Sequence, residues 1–487
     1  MRVAGAGLLA AAIAMILSAA VAVLDGGGGA RGLLLSAPLT GLAGVVLFFG
    51  SRVSATADSA LAFASVAWSW LAVSLAGSLP FLLTGVIPWG QFDNALFESI
   101  SGFTCSGSTI LVNFDAVPQG VLFYRSLTQW LGGMGLVVLA VAVLPALGIG
   151  GLDLIASEAP GPTADRLTLR VRDTARQLWL LYGAMTGALT LVLLTIGMSA
   201  FDAVTHAFTT ISTGGFSPHA ESIAYFDSFT IELILMVGML LSGASFSIHW
   251  HALRQGIGAY RRVSEVRWYL SLVFGAFGML VWVNLGELGW LQNLRESLFY
   301  AVSLGSNTGF GNSDFVLWMP AAHLLLLVLM LVGGMSGSTA GGMKVLRLQV
   351  VFKYSFRELM RARHPNSVIP IRLGRTTIEE QIAAKVVGFV LLYLGLILAG
   401  GVILSGLGVD LVTAFSGSAS ALGNVGPALG EAGPTSNFLV FPRAGRIVLM
   451  AMMALGRLEL FPAMLMLVAS LRGLDRSRLR RDRERSQ

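Results

Sequence analysis

The sequence predicts an all-α polytopic membrane protein: an N-terminal two-helix hairpin, then four pseudo-symmetric helix/pore-loop/helix repeats. Three observations carry the prediction. Of the 487 residues, 55% are hydrophobic and only 12% charged, too few charges to cover a soluble globule of this size. Apolar segments of the roughly 20 residues needed to cross a hydrocarbon core about 30 Å thick recur from end to end. Between them, four stretches of one internal pattern return in order, the mark of internal repetition.

The first apolar run follows Met1 and Arg2 and ends near Leu24. Small residues such as Ala20 and Ala22 resemble a signal-peptide cleavage pattern. The run is nevertheless long enough to span, and a second, residues 33–49, follows a short DGGGGARG turn, so residues 1–54 read as a retained hairpin. Further spans cover roughly 59–86, 120–147, 177–199, 229–253, 266–289, 320–352, 379–405 and 437–471, making ten crossings with the hairpin. The repeats are then residues 55–150, 151–256, 257–356 and 357–471, with a basic tail at 472–487.

The net charge of +6 is confined to a few loops and is not interleaved with aromatics, so no nucleic-acid partner is indicated. Arg166, Arg170, Arg172 and Arg176 share one side with Arg254, Arg261, Arg262 and Arg267, with Lys353, Arg357, Arg361, Arg363, Arg372 and Arg375, and with the tail. Cytoplasmic loops collect Lys and Arg, so both termini are expected in the cytoplasm. The single cysteine, Cys105, excludes an internal disulfide framework. The histidines (His206, His219, His249, His251, His323, His364) form no HExxH, so no metal site is expected, and His249 and His251 read as interfacial.

The outward stretches read FDNALFESISGFTCSGSTI, FDAVTHAFTTISTGGFSPH, LQNLRESLFYAVSLGSNTGFGN and VDLVTAFSGSASALGNVGPALG. Each begins at a short polar residue suited to cap a helix (Asp93, Asp202, Asn293, Asp410) and reaches a turn glycine at Gly107, Gly214, Gly309 or Gly426. About ten helical residues rise about 15 Å, half of the hydrocarbon core, so these are re-entrant half-helices. Non-helical backbone at membrane depth is tolerated where it lines a watery cavity. Four such turns around one axis make one ion pore.

Rings of backbone carbonyls replace the hydration shell of a monovalent cation. The candidate filter is Thr104, Cys105, Ser106 and Gly107; Ile211, Ser212, Thr213 and Gly214; Ser306, Asn307, Thr308 and Gly309; and Gly423, Asn424, Val425 and Gly426. Main chains, more than side chains, would coordinate, and the half-helix C-termini add partial negative charge. Asp93, Glu98, Asp115, Asp202, Glu221, Asp227 and Asp314 against almost no base would concentrate cations at the mouth, although each also reads as capping or solvated loop chemistry.

Residues 333–342 interrupt a span with five glycines, two serines and a threonine, a composition that unwinds a helix or makes a packing seam. The string GSTAGGMK only approximates a phosphate loop, since Lys344 comes one residue late, no Ser or Thr follows it and no strand precedes it. Arg457 lies in an apolar run, which makes it a functional candidate or half of a structural ion pair.

GGMSGSTAGGMKVLR (residues 333–347), RSLTQWLGGMG (125–135), GNVGP (423–427) and GRLELFP (456–462) resemble, in order, the Trk/Ktr/HKT superfamily of potassium uptake proteins, more closely its TrkH-type members. The resemblance covers nearly the whole chain. It implies potassium as the permeant ion, no cofactor in this chain, a bacterial inner membrane, a homodimer in membrane lipid, and a cytoplasmic TrkA-type nucleotide-binding regulatory partner. It also implies that loop 333–342 is an intramembrane gate (Gly333, Gly334, Ser336, Gly337, Ser338, Thr339, Gly341, Gly342). Arg457 would stand beside the pore below the filter, facing the cavity as an electrostatic barrier, and Glu459 would pair with Arg125 or Lys344. Cys105 and Ile211 depart from the family's threonine-rich filter, and no repeat carries TVGYG, so modest discrimination against sodium is expected. The competing reading is a sodium- or proton-coupled secondary transporter, which would show inverted repeats and buried carboxylates. No enzymatic constellation is present.

Overall fold

The computed structural model describes residues 1–51, 59–142, 164–364, 367, 369–374 and 376–458. The basic tail, Glu459, Arg375 and the ends of the expected spans beyond 142 and 458 lie outside these residues, as do the junctions at 55 and 150.

The hairpin forms from α1 (Arg2–Leu24) and α2 (Ala30–Gly50), joined by a turn in which Gly26, Gly27 and Gly29 take left-handed conformations. Its backbones touch through small residues: a Cβ on Gly5 would lie 2.5 Å from Phe48 N and 2.8 Å from Gly44 O.

In the first repeat, α3 (Ser59–Gly77) and α4 (Leu79–Leu83) lead to half-helix α5 (Phe92–Phe103) and then α6 (Gln119–Ala142). The second has α7 (Ala164–Thr195), half-helix α8 (Ala200–Ile211), α9 (Phe229–Ser242), α10 (Phe246–Gln255) and short α11 (Gly258–Arg262). The third has α12 (Ser264–Val283), half-helix α13 (Trp290–Gly305), α14 (Pro320–Val332) and α15 (Val345–Arg363). The fourth has α16 (Glu380–Gly406), half-helix α17 (Leu411–Gly423) and α18 (Arg443–Arg457). Six described helices are long and apolar enough to cross a membrane, seven if the bent pair α9 and α10 is one span.

Three expectations need correction. Of the predicted caps only Asp410 holds, its Oδ2 accepting Val412 N at 3.0 Å. Phe92 starts α5 and leaves Asp93 in the first turn; Ser199 caps α8 by accepting Asp202 N at 3.0 Å; Asn293 lies inside α13 and donates to Val281 O at 3.0 Å. Polar residues favourable to the positive helix end are found throughout the first turn, so the signal locates a cap only to within a turn. Second, the expected span 229–253 bends by 96° between α9 and α10, where Gly243 passes against Tyr269 and its carbonyl accepts Met335 N at 2.8 Å. Third, the basic loop after α15 contains an antiparallel pair, β1 (Ile371–Leu373) and β2 (Thr376–Ile378), too short to show an alternation in sequence. His249 is buried, with Nε2 bonded to Leu241 O at 2.7 Å and Nδ1 to the Tyr260 hydroxyl at 2.6 Å.

Candidate functional site

All four half-helices end identically. The N–H of Cys105, Thr213, Asn307 and Asn424 donates to the carbonyl of Gly102, Thr210, Leu304 and Ala421 at 3.0, 3.0, 3.1 and 3.3 Å. The next N–H, from Ser106, Gly214, Thr308 and Val425, reaches back to Ser101, Thr209, Ser303 and Ala-flanked Ser420 at 2.9, 2.8, 2.9 and 3.0 Å. This is the Schellman closure, which needs a left-handed residue after the cap. Cys105, Thr213, Asn307 and Asn424 fill it with φ of 55°, 52°, 61° and 55°, a conformation that Asn tolerates but β-branched Thr does so only under strain.

Two residues later the chain turns left-handed again, at Gly107, Gly215, Gly309 and Gly426. These four close a ring. A Cβ on Gly107 would stand 2.5 Å from Gly214 O, one on Gly215 would overlap Thr308 O, one on Gly309 would overlap Val425 O, and one on Gly426 would stand 3.0 Å from Ser106 O. Each glycine therefore faces the carbonyl that precedes the corresponding glycine of the next repeat, and the fourth returns to the first. All four line one cavity of about 110 Å³.

The ring corrects the register of the second repeat. Its left-handed glycine is Gly215, and Gly214 is equivalent to Ser106, Thr308 and Val425. Ile211 is the last residue of α8, so the turn reads Ser212, Thr213, Gly214, Gly215. The Gly-Gly pair made the two alignments indistinguishable in sequence. In the other repeats Thr104, Cys105, Ser106 and Gly107, Ser306, Asn307, Thr308 and Gly309, and Gly423, Asn424, Val425 and Gly426 occupy the predicted positions.

Directly against the half-helix ends lies the non-helical segment between α14 and α15, with Gly333, Gly337, Gly342 and Lys344 at positive φ. Thr339 Oγ1 donates to Ile211 O at 3.0 Å and lies 3.3 Å from Thr213 Oγ1. Gly341 packs so closely on Gly423 that a Cβ would overlap its carbonyl, and a Cβ on Gly333 would stand 3.1 Å from Asn307 Oδ1. Within the segment, Ser338 Oγ donates to Met335 O at 2.6 Å and Gly334 O accepts Val345 N at 3.0 Å. Ser336 N donates to the buried Glu265 carboxylate at 2.7 Å.

Arg457, 1% exposed, connects this segment to the first turn. Its Nη1 donates to Thr339 O at 2.9 Å and its Nη2 to Cys105 Sγ at 3.1 Å and Gly132 O at 3.2 Å. Among the described residues no carboxylate pairs with it. Arg125 pairs with Glu98 at 2.5 Å and Lys344 Nζ donates to Ala340 O; Glu459, expected to pair with one of the two, lies outside the described residues.

The family model described as TrkH, cation transport protein, matches residues 40–276 and 286–472. The chain belongs to the TrkH family. It is 42% identical over 404 residues to the Trk system potassium uptake protein TrkH of Halomonas elongata, covering 82% of this chain and 83% of that protein. Identity to the TrkH of Escherichia coli strain K12 is 38% over 404 residues, with the same coverage. The crystal structure of the potassium transporter TrkH from Vibrio parahaemolyticus matches with a TM-score of 0.87 and 33% identity, covering 96% of this chain and 98% of that one. The chain is thus a multi-pass membrane protein of a transport family, not an enzyme family.

Sequence reasoning missed the side chains that hold this TrkH-family ring together. Gln129 Nε2 donates to Gly214 O at 2.6 Å while its Oε1 accepts Phe216 N at 3.0 Å. Ser101 and Ser303 each latch the outgoing chain, donating to Ser108 O at 2.5 Å and Phe310 O at 2.7 Å. Behind the ring, Glu98 is fully buried and accepts Ile110 N at 3.0 Å and Thr109 Oγ1 at 3.0 Å, besides Arg125 Nε. Arg125 Nη1 donates to Ser217 O at 2.9 Å, and its guanidinium lies 3.3 Å from the Phe216 ring centroid. This buried pair fixes the strands leaving the first two turns. Its members sit 27 residues apart; the sequence singled out Glu98 as a mouth acid and Arg125 within RSLTQW, but not their pairing.

The expected open field of acids is also corrected. Asp93 meets Arg443 at 3.3 Å and Arg446 at 3.2 Å, Asp202 meets His219 at 2.8 Å, and Asp227 meets Arg295 at 3.2 Å. Burial opposes ionisation of Asp202, but hydrogen bonds from His219 and Ser199 outweigh it and hold the carboxyl below its ordinary range. None of the seven acids lines the cavity above the ring, which carries Arg125 and His219 instead. The partial negative charge at this level comes from backbone carbonyls and the half-helix C-termini.

Proposed function

We infer that this chain takes up potassium across a bacterial inner membrane through a gated, channel-like pore whose filter is the carbonyl ring of the four turns. One observation carries the reading: Gly107, Gly215, Gly309 and Gly426 close a four-membered ring of backbone and share one cavity. Carbonyls so arranged offer oxygens at fixed spacing to a dehydrated cation. The printed names of the relatives, potassium uptake proteins and a potassium transporter, supply the ion.

Segment 333–344 is the gate in its closed position. It is bonded to the second turn through Thr339, packs on the third and fourth through Gly333 and Gly341, and reaches the first through Arg457. Arg457 adds an electrostatic barrier at the same level. A homodimer, with cytoplasmic termini and a TrkA-type nucleotide-binding partner on the basic face, completes the proposal; Arg-rich loops on one side support the orientation.

The test is the reversal potential of reconstituted protein under mixed potassium and sodium. The wild type should prefer potassium, and Gly426→Ser should reduce that preference, because a side chain there meets Ser106 O at 3.0 Å and takes an unfavourable φ of 110°. An unchanged permeability ratio in a folded Gly426→Ser protein would falsify the filter assignment, and flux that saturates with a sodium or proton gradient would point to coupled transport.

A further inference from the structure

The four turns share one backbone, but the side chains beside them differ. Gly132, Gly333 and Gly456 hold one place in their repeats: a Cβ on each would lie 3.2, 3.1 and 3.0 Å from the side chain of the left-handed residue in its own turn, at Cys105 Sγ, Asn307 Oδ1 and Asn424 Oδ1. In the second repeat Ser242 holds this place, since the next residue, Gly243, faces Ser306 Cβ at 3.0 Å as Gly133 faces Ser212 Cβ at 2.7 Å. Three residues earlier stand Gln129, Met239, Met330 and Met453, all fully buried. Three of these are thioethers, which donate no hydrogen bond. The fourth, of similar length and equally unbranched, carries an amide.

That amide closes on both sides of the ring glycine Gly215, with Nε2 donating to Gly214 O at 2.6 Å and Oε1 accepting Phe216 N at 3.0 Å. The second turn lacks the internal latch of the others. Ser101, Ser303 and Ser420 hold their own outgoing chains, donating to Ser108 O at 2.5 Å, Phe310 O at 2.7 Å and Gly426 O at 3.0 Å. Thr209 occupies the equivalent place in α8, and its hydroxyl donates back into the helix, to Thr205 O at 3.1 Å. The hold on the second turn therefore comes from the first repeat, through Gln129 of α6.

We propose that Gln129 is a specificity-determining residue of the pore, a positioning group that keeps Gly214 O from closing on a cation smaller than potassium. The inference rests on the reading of the carbonyl ring as the filter. Gly214 O is the ring oxygen that Gly107 faces. A carbonyl held by a side-chain donor cannot follow a small ion inward, and the donated N–H weakens the field that the oxygen presents. Discrimination between potassium and sodium depends on that fit and that field. A methionine here, as in the other three repeats, would release Gly214 O and leave Phe216 N without its acceptor.

Reconstituted full-length protein would be compared with Gln129→Met and Gln129→Leu by reversal potentials in potassium against sodium and in potassium against rubidium, with folding checked by gel filtration. Both variants should raise sodium permeability relative to potassium roughly fivefold, as loss of one neutral hydrogen bond does. The ratio of rubidium to potassium should stay at its wild-type value, because the larger ion needs no inward movement of the oxygen. Methionine fills the space of glutamine, so Gln129→Met carries the test if Gln129→Leu does not fold. Gly426→Ser, measured in parallel, reports on the filter itself. An unchanged ratio of sodium to potassium in folded Gln129→Met, beside a changed one in Gly426→Ser, overturns the role of Gln129 and leaves the filter reading standing; unchanged ratios in both overturn that reading and this inference with it. Reduced flux at a wild-type ratio makes Gln129 a structural brace only and equally overturns the proposal.

Discussion

Glu265 holds both ends of the proposed gate, which makes it the most informative residue to remove. Its Oε1 accepts Ser336 N at 2.7 Å, inside the segment, and Leu346 N at 3.1 Å, in the first turn of α15. Both bonds exist together only while the two ends stand at their present separation. A hydrogen bond to a charged group contributes about 1.5–3 kcal/mol, so the pair favours the closed arrangement by about 3–6 kcal/mol when nothing replaces it. Water entering the vacated space in Glu265→Ala recovers part, so the lower figure applies. About 3 kcal/mol corresponds to a roughly hundredfold shift from closed to open. Glu265→Gln keeps an acceptor oxygen and loses only the charge, and neutral bonds retain about half of the effect, leaving a roughly tenfold shift. Rubidium influx into proteoliposomes, normalised to folded protein by gel filtration, should therefore rise in the order wild type, Gln, Ala. Wild-type influx in a folded Glu265→Ala protein would refute the idea that this carboxylate holds the segment shut.

Deleting residues 334–341 removes the segment's contacts with the turns, and rubidium influx should increase; unaltered influx would remove the segment from gating. Gly215→Ala should abolish influx because its Cβ would overlap Thr308 O at a φ of 74°, whereas Gly214→Ala meets the Gln129 side chain, which can shift at the cost of its bonds to the ring, and should lower influx less; the reverse ranking would restore the other register. Glu98→Gln and Arg125→Met should each lower stability by about 3–5 kcal/mol, as breaking one side of a buried pair does, and the double variant should cost less than the sum. Thermal unfolding in detergent measures this, and strict additivity would argue against a coupled pair.

What the sequence disclosed followed from local chemistry. Half-helices showed themselves because an apolar run of a few turns and a glycine were the whole device, repeated four times. The segment at 333–342 stood out because five glycines within one span either unwind a helix or pack it closely, and the structure shows the first. Contacts between distant residues were silent: Gln129 supports Gly214 from 85 residues away, and Glu265 reaches Leu346 across 81. The bend after α9 falls at Ser242, Gly243 and Ser245, inside what the sequence reads as one span because the two helices together are apolar enough to cross. Only the structure shows why it is there: Met335 N donates to Gly243 O at 2.8 Å and Phe246 N to Gly337 O at 3.1 Å, so the broken helix of the second repeat receives the broken span of the third.

That reception ties the proposed barrier and the proposed gate into one unit. Thr339 bonds the last carbonyl of α8 through its hydroxyl and Arg457 through its carbonyl. Withdrawing the segment removes the Arg457 contact with Thr339 but leaves those with Cys105 and Gly132, so the positive charge stays beside the first turn. Opening then needs two changes, displacement of the backbone and compensation of the guanidinium, and the half-helix C-termini supply part of the second through their partial negative charge. Arg457 bonds both the segment, at Thr339, and the first turn, at Cys105, so removing its side chain would separate the two changes.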